Sequence, residues 1–143
     1  MSIKVGHEKN LKVVLDTNVL VSALVFGGKP QAVIQWLVEN GSTYISQDIL
    51  TETRRIVHAK FPNFHIDLAR LEKLLERDVL WVVLGSIKVN ICQDPDDNMI
   101  IETAILGQCS YIVSGDNDLL VLKNYQNIQI ETPSHFISII DRR

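Results

Sequence analysis

Asp16 closes the apolar run Lys12-Val-Val-Leu-Asp16 and opens Asp16-Thr17-Asn18. Asp116 and Asp118 follow a second such run, in Ser114-Gly115-Asp116-Asn117-Asp118. Taken singly, each site is an ordinary turn or helix cap, because Asp and Asn close turns and accept from the free amides at helix starts. Two runs ending the same way change the reading. If they are neighbouring strands, their ends lie about 5 Å apart and their carboxylates share one pocket. A third cluster, Asp94-Pro95-Asp96-Asp97, reads as a helix start with Asp94 as cap, Pro95 in the first position and Asp97 near the capping-box position. Asp97 precedes Ile100, Ile101 and Ala104 at helical spacing, so it shares their buried face, one turn earlier, while Asp96 is rotated away. As the acid of this cluster, Asp97 ranks first, Asp94 second and Asp96 last. Glu52 has Ile49 and Ile56 as its neighbours along a helix surface. Alone it is a surface glutamate; with the other acids it is a fourth carboxylate.

Converging carboxylates without basic partners repel one another. Protonation relieves this, and so does a cation. A donor set of carboxylate oxygens without Cys or His suits Mg²⁺ or Mn²⁺, and such ions hold a phosphodiester oxygen and activate water. The hydroxyls of Thr17, Ser22 and Ser114 are placed to orient carboxylates or water, or equally to cap and close turns locally. Lys29, Arg54 and Arg55 read first as solvated charge and second as contacts for a phosphate. Gly27-Gly28-Lys29-Pro30 lacks P-loop spacing, and there is no Gly-x-Gly-x-x-Gly. His7, His58, His65 and His135 form no metal-spaced pair. Cys92 and Cys109 form no CxxC and read as reduced, at least partly buried thiols of a cytoplasmic protein.

The elements that must position these acids follow from periodicity. Strands are expected at 12–16, 43–46, 79–84, 111–114 and 127–131, from continuous apolar or β-branched runs. Helices are expected at 19–25, 30–39, 46–60, 66–78, 94–108 and after Thr132, with a helical turn at 117–121. Gly41 reads as a helix stop. Alternating strands and helices without a repeat predict a parallel sheet covered on both faces, with ligands at the carboxyl ends of its strands.

The chain has 143 residues, 46% of them hydrophobic and 22% charged, which suits one domain over 11–143 behind a leader at 1–10 and excludes a disordered protein. No apolar run is long enough to span a bilayer, and the polar start lacks the apolar core of a signal peptide. The net charge of −3 argues at first against a nucleic-acid partner. Setting the four gathered acids aside leaves the rest near neutral, so bulk charge decides nothing.

On these residues the chain resembles the PIN-domain family. The matching segments are Asp16-Thr-Asn-Val-Leu-Val-Ser22, Glu52 in the following helical layer, Asp94-Pro-Asp-Asp-Asn98 with its apolar stripe, and Tyr111-Ile-Val-Ser-Gly-Asp-Asn-Asp-Leu-Leu120. They fall in order between about Leu11 and Ile140, and the nearest subgroup is the toxin component of prokaryotic toxin–antitoxin pairs. The resemblance implies an α/β/α sandwich and a Mg²⁺- or Mn²⁺-dependent endoribonuclease. It sets the family's four acids on Asp16, Glu52, Asp97 and Asp116, with Asp118 and Asn18 as accessory positions. It implies an RNA substrate, an antitoxin partner and a homodimer. Ser114 departs by standing where threonine is common, which keeps the hydroxyl, and 61–90 carries no recognised motif. A housekeeping RNA-processing nuclease fits the same residues. An aspartyl phosphohydrolase fits less well, since Asn18 stands where its second Asp belongs, and a non-catalytic module leaves the retained acids without a purpose.

Overall fold

Val13, Val14 and Leu15 are all at most 2% exposed, so β1 (Lys12–Leu15) is buried on both faces, as its unbroken apolar run requires. The computed structural model describes residues 11–142, and the leader expected at 1–10 lies outside them. Helices α1 (Thr17–Phe26) and α2 (Gly28–Asn40) lead to β2 (Ser42–Ser46). Helix α3 (Gln47–Lys60), a 3₁₀ turn (Pro62–Phe64) and α4 (His65–Asp78) lead to β3 (Val79–Val82). A loop then reaches α5 (Pro95–Leu106) and β4 (Tyr111–Val113). The chain ends through α6 (Asn117–Leu120), β5 (Asn124–Tyr125), β6 (Ile128–Glu131) and α7 (Pro133–Asp141).

The six strands run in the order β3-β2-β1-β4-β6-β5. All pairs are parallel except β5–β6. The two-residue β5 was not expected; it is too short for any periodicity, and the left-handed residues Lys123, Gln126 and Asn127 fold it back onto β6. Helices α1 to α4 and α7 contact one another in a connected layer, and α5 lies on β1, β2 and β4. The result is a three-layer α/β/α sandwich. Its largest buried side chains include Phe136, Leu20, Leu37, Ile49, Ile100 and Ile101. Phe136 also meets Tyr111 edge-on at 5.4 Å, which ties α7 to β4.

From β1 the chain steps outward to β2 and β3 on one side and, after a return, to β4 and β6 on the other. The strand order therefore reverses between β1 and β4, where open α/β sheets place their ligands. Val13, Val14 and Leu15 pair with Tyr111, Ile112 and Val113, so the residues after both strands emerge side by side.

Gly41 ends α2 as expected but not by a left-handed turn: its φ is −129°. The reason is space. A Cβ there would stand 2.7 Å from Leu37 Cδ2 and 3.3 Å from the Leu11 carbonyl oxygen. Gly41→Ala is therefore expected to lower stability by about 1–3 kcal/mol in urea unfolding, with the slope unchanged.

Candidate metal centre

Asp16 stands at the N-cap of α1, yet its carboxylate makes no capping hydrogen bond. It is 5% exposed, and Ser114 Oγ donates to its Oδ2 at 2.6 Å. The same Oγ accepts from the Asp116 amide at 2.9 Å, so one buried hydroxyl links the ends of β1 and β4. Burial pushes the Asp16 pKa up and the nearby Asp116 charge adds to this, while the Ser114 hydrogen bond pulls it down. Ser114→Ala would leave the Asp116 amide and a buried carboxylate oxygen without this partner. It is expected to cost about 1–3 kcal/mol in denaturant unfolding, and Ser114→Thr much less.

Asp94 and Asp116 both serve as helix caps. Asp94 Oδ1 accepts from the Asp96 amide and Asp116 Oδ1 from the Asp118 amide, each at 2.9 Å. For these two acids the capping role is real, and one oxygen of each is so used. Asp97 differs. It is 4% exposed, and its Oδ2 is buried with no hydrogen-bond partner. Asp97, Asp116 and Asp118 each offer an oxygen within 4.8 Å of the others. Burial, then the charge of Asp116, raises the Asp97 pKa to about 7, with Asp94 and Asp16 contributing further. A buried anion of this kind is costly unless a proton or a cation compensates it.

The structure thus brings Asp16, Asp97, Asp116 and Asp118 to the β1/β4 junction. Thr17 is buried at the start of α1, Asn18 is exposed, and Ser22 is half-buried one turn along. Glu52 lies elsewhere. Arg55 grips it with two hydrogen bonds of 2.7 Å, from Nε and Nη2, and this grip holds the Glu52 pKa below its usual value. Asp96 is the acid beside Glu52, and its pKa rises first through burial and then through the Glu52 charge. Lys29 donates to Ser134 Oγ and Arg54 makes a two-fold pair with Glu72, so both have partners on neighbouring helices. Neither cysteine is in a disulfide; Cys109 is buried and Cys92 half-buried.

Asn98 has a structural role that sequence spacing did not assign. Its Oδ1 accepts from the Ile91 and Cys92 amides at 3.1 and 2.8 Å, and its Nδ2 donates to the Cys92 carbonyl at 2.9 Å. The loop before Asp94 is thereby pinned to the first turn of α5. An amide side chain directly after a helix-start acid was the available signal.

The donor set fits Mg²⁺ or Mn²⁺. It has carboxylate oxygens, no sulfur or imidazole, and one buried oxygen lacking any partner.

Comparison with known proteins bears on the family and the fold. An uncharacterized protein of Methanocaldococcus jannaschii, MJ1680, is 29% identical over 92% of this chain and 93% of its own length. A solved structure described as VapBC2 from Rickettsia felis bound to a DNA fragment from their promoter is similar in fold, with a TM-score of 0.61 and 16% identity. That match covers 85% of this chain and 98% of the other. The PIN domain family model matches residues 12–118, a span that begins at β1 and ends on Asp118. The chain belongs to the PIN domain family.

Proposed function

We propose that the protein is a divalent-metal-dependent endoribonuclease, the toxin of a toxin–antitoxin pair, acting in the cytoplasm as a homodimer on RNA. The observation that carries the nuclease reading is the partnerless buried oxygen of Asp97 within the Asp97–Asp116–Asp118 group at the sheet's switch point. The toxin assignment is supported by the family and by the fold likeness to a toxin–antitoxin complex. In this reading Asp97, Asp116 and Asp118 hold Mg²⁺ or Mn²⁺, with Asp16 behind them. When bound, the cation supplies positive charge for a phosphodiester oxygen and makes water a better nucleophile. The chain's own residues do the rest. Ser114 keeps Asp16 turned toward Asp116, and the Asp94 and Asp116 caps fix the helix starts that carry Asp97 and Asp118. Glu52, tied to Arg55, orients water or substrate at the rim beside Asp96.

The test is RNA cleavage by the purified chain with Mg²⁺ or Mn²⁺, with the ion removed by chelator, and with Asp16→Asn. Cleavage that disappears with the metal, returns on re-addition and is abolished in folded Asp16→Asn supports the reading. If Asp16→Asn cleaves like wild type, the assignment is wrong.

A further inference from the structure

The loop 83–94 joins β3 to α5 without a helix or strand of its own, and none of its residues is fully buried. It is at the upper end of lengths for an unstructured connection. Even so, α5 holds it at two points. Glu102 Oε2 accepts from the Gly85 amide at 2.8 Å. Asn98, one turn earlier on the same helix face, takes the Ile91 and Cys92 amides. Gly85 has a φ of +115°, where glycine alone is unstrained. The loop is therefore built into a fixed shape although it adds no fully buried side chain to the core.

Between this loop and α5 lies an open groove of about 620 Å³, within the size range of small-ligand sites. Its lining is mixed. Ile87, Val89 and Met99 give it apolar surface, Asn90 and Gln93 give it amides, and Asp48 and Asp96 give it carboxylates. Among the described residues that line it, Lys88 is the only cation, and Glu102 is committed to the Gly85 amide. The groove adjoins the metal centre through one helix start, because Asp96 lines it and Asp97 follows directly.

This lining discriminates among occupants. Its acids outnumber the lysine and repel a bare phosphate. Apolar walls with polar edges suit a flat heterocycle, and single-stranded RNA is read by covering the faces of unstacked bases and bonding their edges. Ionised carboxylates only accept hydrogen bonds, so they favour bases that donate. Guanine, adenine and cytosine carry exocyclic amino groups, whereas uracil presents carbonyl oxygens in their place. We infer that the groove holds one unpaired base of the RNA beside the scissile phosphate and selects amino-bearing bases over uracil. This rests on the ribonuclease reading above and gives it a sequence preference. Asp48, Asp96 and Asn90 read the edge of the base, Ile87 and Met99 cover its faces, and Lys88 meets the phosphate of the same nucleotide.

The experiment compares metal-dependent cleavage of an all-uracil RNA with the same strand carrying one central guanine, adenine or cytosine. Wild type, Asp48→Ala and Asn90→Ala are tested; both side chains are exposed, so the variants fold, which circular dichroism checks. Wild type is expected to cleave at least one amino-bearing strand about tenfold faster in kcat/KM than the uracil strand, next to the substituted base. Loss of that preference in either variant, with the change falling on KM for the favoured strand, supports the groove. Equal cleavage of all four strands, a preference for uracil, or a preference intact in both variants overturns the groove and leaves the nuclease reading standing. Wild type that cleaves none of the strands with Mg²⁺ or Mn²⁺ overturns both.

Discussion

Asp97→Asn is expected to lower metal-dependent RNA cleavage by about a thousandfold while making the metal-free protein more stable at pH 8. The two effects have one cause. Asp97 is 4% exposed, its Oδ2 has no partner, and its carboxyl is raised to about 7 first by burial and then by Asp116. At pH 8 the metal-free chain therefore holds a buried charge facing other acids. Asparagine keeps the shape, removes the charge and turns one oxygen into a donor that Asp116 can accept from. Relief of order a few kcal/mol is expected in denaturant unfolding at pH 8, shrinking toward zero at pH 4. A merely structural aspartate would behave in the opposite way, with its replacement destabilising the fold. Activity loss together with lost stability would therefore count against the assignment, and activity loss with gained stability would support it.

The second large effect is the dependence of stability on pH and its reversal by metal. For Asp97 the folded pKa of about 7 lies above the unfolded value near 3.8. Between these values the folded chain binds more protons than the unfolded chain, so unfolding free energy falls as pH rises through this window. The raised pKa of Asp16 acts in the same direction. In metal-free protein the melting temperature is thus expected to fall from about pH 5 to pH 8, with a slope of up to roughly 1.4 kcal/mol per pH unit for one proton. Saturating Mn²⁺ should flatten or invert this, because a cation must displace the proton and so binds more tightly as pH rises. Thermal melts at several pH values, with and without Mn²⁺, measure both. A metal-free stability that rises between pH 5 and 8 would contradict the buried-acid account.

Much of this arrangement was legible from spacing. An unbroken Val-Val-Leu run suits a strand covered on both faces, and β1 is that strand. Helical spacing places Asp97 on the side of Ile100, Ile101 and Ala104, and all four are buried. Capping chemistry also transfers directly: Asp94 with Pro95, and Thr132 with Pro133, begin α5 and α7. Other features depend on contacts far apart in the chain. The 98-residue link from Ser114 to Asp16 exists only because β1 and β4 are adjacent. Glu52 illustrates the opposite difficulty. Its place along the helix is readable, but Arg55 also lies within helical reach, and Glu52 pairs with Arg55 beside Asp96 instead of joining Asp97, Asp116 and Asp118. Gly41 stops α2 through a close approach of Leu37 and Leu11, which no local rule reports. The segment 61–90 had no motif to read because its most distinctive property, the exposed apolar edge of β3, is a surface property.

Calorimetric titration of Mn²⁺ into wild type and Asp116→Asn at pH 7.5 tests the centre most directly. Asparagine still caps α6, so the substitution removes a metal ligand and its charge while keeping the helix start. The predicted result is saturable binding to wild type with release of a proton, and loss of that binding in a variant with an unchanged circular dichroism spectrum. Equal binding by both proteins, or none by wild type at millimolar Mn²⁺, would contradict a carboxylate metal centre at Asp97, Asp116 and Asp118.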